Sequence, residues 1–198
     1  MSSLSNSYPI AVLISGRGSN LGAIINAIKE TRLEAEIKIV ISNNKNAAGL
    51  ELARESGIKT ECCDVKLFET KDKYEEKIAD LIEKSGAKLI ILAGYMRVIG
   101  ETFIKRFNNN IINIHPSLLP SFKGLNAQKQ ALDYGVKVAG CTVHYVTEEV
   151  DGGQIIDQVA VEIEETDTEE SLSQRILKEE HQLYPKVIQK IIEERRTI

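Results

Sequence analysis

Strand-length apolar runs that alternate with segments of helical periodicity predict an α/β protein. The fold expected is a single doubly wound, Rossmann-like domain, its parallel N-terminal sheet extended by a C-terminal antiparallel strand pair and a long final helix. Three observations carry this expectation. Five short runs, most of them rich in Ile, Leu and Val, have strand length, and the continuous ones suit strands covered on both faces. Segments with apolar residues three and four apart separate them. Two later segments alternate in character, as partners in an antiparallel pair do. A length of 198 residues fits one domain, 1–198, with an N-terminal half of about 8–107 and a C-terminal half of about 108–198.

Taken in order, Ile10 to Ser15 is the first strand, ending at Gly16, and the helix from Leu21 presents Ile24, Ile25, Ala27 and Ile28 on one face. Ile37 to Ser42 is the second strand, Ala47 to Ser56 a helix closed by Gly57, and Ile58 to Cys63 the third strand. Tyr74, Ile78, Leu81 and Ile82 mark the next helix, before the apolar run Leu89 to Ala93. A short helix from about Glu101 to Phe107 precedes the fifth run, Ile111 to Ile114. After the loop Pro116 to Gly124, a helix from Asn126 to Tyr134 leads to strands Val138 to Val146 and Gln154 to Ile163. Leu172, Ile176, Val187, Ile188 and Ile191 place one long helix at the end, with Pro185 as a point of disturbance and Thr166 with Glu169 as its capping box.

Composition excludes several classes. Hydrophobic residues make up 42% and charged residues 27%, ordinary for a globular protein and wrong for a disordered one. Lys and Arg number 25 against 29 acidic residues, and no basic run interrupts the mixture, so no nucleic-acid partner is expected. The thiols of Cys62, Cys63 and Cys141 include no CxxC pair and read as reduced cytosolic cysteines. The start, MSSLSNSYPI, lacks the basic and apolar parts of a secretory signal. The longest apolar run, Leu89 to Met96, falls well short of the roughly 20 residues of a membrane helix. A soluble, cytoplasmic protein without a membrane partner is expected.

Doubly wound sheets gather ligands beyond the carboxyl ends of their strands, so chemistry is sought there. Gly16-Arg17-Gly18-Ser19-Asn20 joins the first strand to the first helix, where backbone N–H groups can approach an anion. A dinucleotide fingerprint fails, because Leu21 stands where Gly or Ala is needed and Ser42-Asn43-Asn44 supplies no acid after the second strand. GxxxxGK is also absent. The loop fits a single phosphomonoester on the amides of Gly18, Ser19 and Asn20 and the Ser19 hydroxyl, or a tight turn with an ordinary cap.

Asn113-Ile114-His115-Pro116 is the most unusual stretch, an apolar run that ends in two polar side chains. Residues two apart on a strand share a face, so Asn113 and His115 can enter one cleft. An amide can donate to a developing oxyanion and an imidazole can move a proton near neutral pH. Asp151-Gly152-Gly153 forms the turn between the two late strands, and its carboxylate can face His115 and favour the charged imidazole. A satisfied structural His and a hairpin turn chosen for geometry are the alternatives. His144, on an alternating strand, reads as a surface or pairing residue, and no His spacing offers a metal site. None of Ser15, Ser19 and Ser117 lies in GxSxG, and the acidic run Glu162 to Glu170 reads as a solvated face.

Four segments, ISGRGSNL (14–21), LAGYMRVI (92–99), NIHPSLLPSFKG (113–124) and DGGQII (151–156), give the chain its resemblance to the phosphoribosylglycinamide formyltransferase family, the folate-dependent enzymes of purine synthesis. The resemblance spans nearly the whole length. It implies 10-formyltetrahydrofolate as cosubstrate, no metal, and the amino group of glycinamide ribonucleotide as acceptor, with its phosphate at Gly18, Ser19 and Asn20. It further implies that Asn113 and His115 are catalytic, that Asp151 tunes His115, and that Glu180 contacts the acceptor. Folate would meet Met96, Arg97, Val98, Ile99, Asn113, Thr147, Glu148, Glu149, Val150 and Asp151. Lys71 stands where some relatives carry Arg near the folate, which keeps a charge but not a planar fork. Arg17 and Lys123 receive no role. The state expected is a monomer or homodimer.

The competing expectations are a hydrolase that releases formate from 10-formyltetrahydrofolate, a methionyl-tRNA formyltransferase and a non-catalytic phosphate-sensing module. The hydrolase is disfavoured because such relatives carry an additional N-terminal domain, whereas the first strand here begins near residue 10. The tRNA enzyme is disfavoured as an expectation because such relatives resemble this chain only in part and add a C-terminal domain. The sensing module gives no reason for Asn113, His115 and Asp151 to occur together.

Overall fold

The computed structural model describes residues 7–108 and 110–197. The chain runs through β1 (Tyr8–Ile14), α1 (Ser19–Lys29), β2 (Ala35–Ser42), α2 (Ala48–Glu55) and β3 (Thr60–Cys62). It continues through α3 (Lys71–Ser85), β4 (Leu89–Leu92), α4 (Glu101–Phe107) and β5 (Ile111–His115). The last elements are α5 (Ala127–Tyr134), β6 (Val138–Tyr145), β7 (Ile155–Glu162) and α6 (Glu169–Arg196). Among the described residues the strands form one seven-stranded sheet in the order β3-β2-β1-β4-β5-β6-β7. The pairs among β1 to β5 are parallel, while β5–β6 and β6–β7 are antiparallel.

Period-two alternation explains the continuous apolar runs. On β1, Ile10, Val12 and Ile14 enter the core beneath α1, α2 and α6, whereas Ala11 and Leu13 enter the core beneath α3 and α4. Both faces of β1 are therefore dry. Strand order leaps from β1 to β4, so the loops leaving those two strands diverge, and the crevice between them is the switch point of a doubly wound sheet. The Ser15 N–H reaches the Gly94 carbonyl at 3.1 Å, and the Met96 N–H reaches Ser15 Oγ at 2.8 Å, tying the loops together.

Two details depart from expectation. The cap of α6 is Thr168, whose hydroxyl accepts the Ser171 N–H while Ser171 Oγ accepts the Thr168 N–H, rather than Thr166 with Glu169. Asp167 accepts the Glu164 N–H and closes the preceding turn, and Thr168 after it has the extended backbone of a cap. Pro185 does not interrupt α6: it lies buried inside a continuous helix, between Tyr184 and Val187 of the core. No helix among the described residues is long and apolar enough to cross a membrane.

Tyr184 pins α6 to the sheet. Its fully buried hydroxyl lies 3.0 Å from the Leu92 carbonyl and 3.1 Å from that of Ile112, across neighbouring strands. Tyr184→Phe deletes the donor and leaves both carbonyl lone pairs dry, so urea denaturation should show a loss of about 1 to 2 kcal/mol with an unchanged m-value.

Candidate active site

Gly18 shapes the loop after β1. Its φ of 77° lies in the left-handed region, and an added Cβ would stand 2.7 Å from the Gly49 Cα, so backbone from α2 packs where any side chain would be. Gly18 is the N-cap of α1, there is no side-chain cap, and the first turn holds no acidic residue. The leading N–H groups of α1 thus sit at the positive helix end without an intrahelical acceptor or a competing carboxylate.

The Asn20 side chain turns inward instead. Only 7% exposed, it donates from Nδ2 to Glu180 Oε2 at 2.7 Å, joining the glycine loop to α6. Glu180 is itself 7% exposed. Burial raises its carboxyl pKa to about 7, against the smaller opposing effect of the Asn20 hydrogen bond.

At the carboxyl end of β5 the predicted trio converges. Asn113 and His115 alternate with the core residues Ile112 and Ile114, so both face the opposite side. That side of β5 and β6 is covered by the Pro116–Gly124 loop, which the Leu119 N–H fastens to Thr142 Oγ1 at 3.0 Å. Asp151, with φ of 51°, turns its carboxylate back under this loop. Its Oδ2 accepts the Gly124 N–H at 2.8 Å and lies 3.3 Å from His115 Nδ1. Gly153 permits the turn by close approach, since a Cβ there would stand 1.7 Å from the Tyr145 carbonyl oxygen. Burial pushes the Asp151 carboxyl up, but His144, the Gly124 N–H and His115 together outweigh it and hold its pKa below the usual value. His115 Nε2 lies 2.9 Å from the Phe122 carbonyl, so each ring nitrogen faces an oxygen acceptor. Both contacts become hydrogen bonds only when both nitrogens carry hydrogen.

Of the two readings of His144, pairing holds and surface does not: it is 2% exposed and belongs to the cluster. Antiparallel register sets it directly opposite Asn113, whose Nδ2 lies 3.2 Å from His144 Nε2. The same nitrogen is 3.6 Å from Asp151 Oδ1. The available signal was the alternation on β6, which places His144 on the Thr142 face, but only the β5–β6 register identifies what that face meets.

The other candidates fall in two groups. Lys71, Arg97, Val98 and Ile99 line one recess with Tyr74 and Tyr95, while Met96 is 68% exposed beside it. Lys71 Nζ lies 3.5 Å from Glu75 Oε1. Thr147, Glu148, Glu149 and Val150 form the exposed turn leading to Asp151, where Thr147 Oγ1 bonds the Glu149 carbonyl. Glu149 also pairs with Lys123 at 2.6 Å, which gives Lys123 a contact that its sequence context did not indicate. Among the described residues no hydrogen bond joins the Met96–Ile99 segment to this turn.

Comparison with known proteins gives concordant matches. The formyl transferase family model matches residues 8–188. The phosphoribosylglycinamide formyltransferase of Bacillus subtilis (strain 168) is 44% identical over 182 residues, which are 92% of this chain and 93% of that protein. The trifunctional purine biosynthetic protein adenosine-3 of Bos taurus is 47% identical over 91% of this chain, but the chain spans only 18% of that protein's length. The crystal structure of glycinamide ribonucleotide transformylase 1 from Symbiobacterium toebii superposes with a TM-score of 0.94 at 46% identity, covering 96% of this chain and 90% of that one.

The Glu180 environment yields a test by pH. Its folded-state pKa of about 7 exceeds the ordinary 4.5, so the folded state binds a proton that the unfolded state has already released between those values. Its contribution is fully present below the lower value and is lost as pH rises through the upper one. Urea unfolding of the wild type and Glu180→Gln from about pH 4 to about pH 8 should show the Gln variant gaining on the wild type by on the order of 3 kcal/mol. A gap that stays constant with pH would mean that Glu180 ionises normally.

Proposed function

Because the chain belongs to the phosphoribosylglycinamide formyltransferase family, we propose that it transfers the formyl group of 10-formyltetrahydrofolate to the amino group of glycinamide ribonucleotide. The products are N-formylglycinamide ribonucleotide and tetrahydrofolate. The observation that carries the reading is the Asp151 carboxylate 3.3 Å from His115 Nδ1, on the strand face that also bears Asn113. This set can supply an oxyanion donor and a proton carrier together.

The amine attacks the formyl carbon, a tetrahedral intermediate forms with negative charge on its oxygen, and N10 of the folate leaves with a proton. An Asn113 Nδ2 hydrogen and protonated His115 stabilise that oxygen. His115, with water ordered by Asp151, relays the amine proton to the leaving nitrogen. In this structure His115 Nε2 is engaged by the Phe122 carbonyl, so acting on substrate exchanges that acceptor for the reacting oxygen. Juxtaposing the two substrates supplies the remaining advantage.

The N-terminal half holds the acceptor phosphate on the amides of Gly18, Ser19 and Asn20, supported by the helix end free of acidic residues. Glu180 contacts the acceptor from the position that its bond to Asn20 secures. The C-terminal half supplies Asn113, His115 and Asp151. Folate lies between the Lys71 and Met96–Ile99 side and the Thr147–Asp151 turn, a placement supported by the exposed apolar side chains Met96, Val98 and Val150. The enzyme works in the cytoplasm on small molecules, as a monomer or homodimer.

Purified protein given 10-formyltetrahydrofolate should release tetrahydrofolate only when glycinamide ribonucleotide is present, without matching formate. Release without the ribonucleotide, with stoichiometric formate, would make it a hydrolase, and silence in both assays would leave a binding module. Asn113→Ala should lower turnover about a hundredfold or more. Asp151→Asn should reduce turnover much more than folate affinity, as steady-state kinetics beside equilibrium titration would show; full turnover in a folded Asp151→Asn protein would remove Asp151 from the mechanism.

A further inference from the structure

We infer that His144 is a positioning residue for the formyl transfer: as a neutral acceptor it selects which end of the Asn113 amide faces the reacting oxygen. This rests on the transferase reading above.

The amide of Asn113 has two unlike ends, and only Nδ2 can donate to an oxyanion; Oδ1 in its place would repel the developing charge. Something must therefore fix the flip. His144 Nδ1 lies 2.9 Å from the Tyr145 carbonyl oxygen, which only accepts, so Nδ1 carries the hydrogen. In the neutral ring Nε2 is then a bare lone pair. Asn113 Nδ2 stands 3.2 Å from it, and the bond can run only from the amide to the ring. One amide hydrogen is consumed. The second has no protein acceptor among the described residues and is left for the substrate oxygen.

The opposite tautomer reverses this outcome. Hydrogen on Nε2 would aim at Asp151 Oδ1, 3.6 Å away, and would confront the Asn113 amide hydrogens. The amide would turn its carbonyl to the ring and present Nδ2 elsewhere. The Tyr145 carbonyl thus sets the ring, and the ring sets the amide, a relay held by the direct pairing of Asn113 with His144 across β5 and β6. The ring is 2% exposed, so little water competes for Nε2.

The test compares His144→Leu, His144→Gln, Asn113→Ala and the double variant Asn113→Ala/His144→Leu by steady-state kinetics. His144→Gln can return an acceptor oxygen to the place of Nε2, whereas Leu keeps bulk alone. Expected for His144→Leu is a fall in kcat of about tenfold to a hundredfold, within the cost of losing the donor itself, with KM for both substrates little changed. The Gln variant should recover most of that loss, and the double variant should be no slower than Asn113→Ala, because His144 acts through Asn113. Losses that multiply in the double variant would route any effect of His144 through Asp151 and overturn the proposal. So would a Gln variant as slow as Leu, or wild-type turnover in His144→Leu. Nitrogen NMR of the wild-type imidazoles gives a reading independent of whether the Leu variant folds: His144 should show hydrogen on Nδ1 and a bare Nε2, and the reverse tautomer overturns the inference. Absence of acceptor-dependent transfer by the wild type would instead overturn the transferase reading, and the catalytic role with it.

Discussion

A carboxylate taken out of water stays ionised only where donors or positive charge replace the lost hydration, and Asp151 meets that requirement with groups from the end of β5 and from the loop that follows it. The Gly124 N–H comes from the loop after β5 and His115 from the end of β5, and both meet Oδ2. The turn that carries Asp151 cannot drift, because Gly153 packs its backbone against the Tyr145 carbonyl where no side chain fits. Loop, strand end and turn are thereby held around one charge, and the orientation of His115 follows from it.

The sheet determines where this charge can stand. Parallel strands β1, β4 and β5 deliver their carboxyl ends to one side, so the glycine loop after β1, the Gly94 turn after β4 and the Asn113–His115 pair all emerge there. Antiparallel β6 then runs back along β5, which brings His144 opposite Asn113, and the turn after β6 folds back over that face to bring the Asp151 carboxylate to His115 and Gly124. On the other face, α6 lays Glu180 against Asn20 and sets Tyr184 beneath the carbonyls of Leu92 and Ile112. The two halves of the chain are thus one structure, joined through the β4–β5 ladder and α6, although the glycine loop belongs to one and the Asn113, His115 and Asp151 cluster to the other.

Much of this is legible from residues alone because burial on both faces demands continuous apolar strands. Leu89–Leu92 and Ile111–His115 could hardly be anything else, and two polar side chains ending an otherwise apolar run mark a site. Helix starts were less legible, since Thr166 and Thr168 both offer a hydroxyl and only the turn closed by Asp167 decides between them. The position of the glycine loop at the start of a helix is legible in the sequence, but the inward course of the Asn20 side chain is hidden, because its partner Glu180 lies 160 positions away.

The sequence by itself determined the α/β class, the order of elements, the site at the carboxyl ends of the strands and the trio Asn113, His115 and Asp151. These rest on local causes: side-chain periodicity, glycine where backbone must turn, and polar residues where apolar ones are expected. The tertiary structure alone decided the place of His144 opposite Asn113, the pairing of Asn20 with Glu180 and the convergence of Gly124 and His115 on one carboxylate. A hydrogen bond is set by register and approach within a few tenths of an ångström, and those are properties of packed strands and helices rather than of neighbours along the chain.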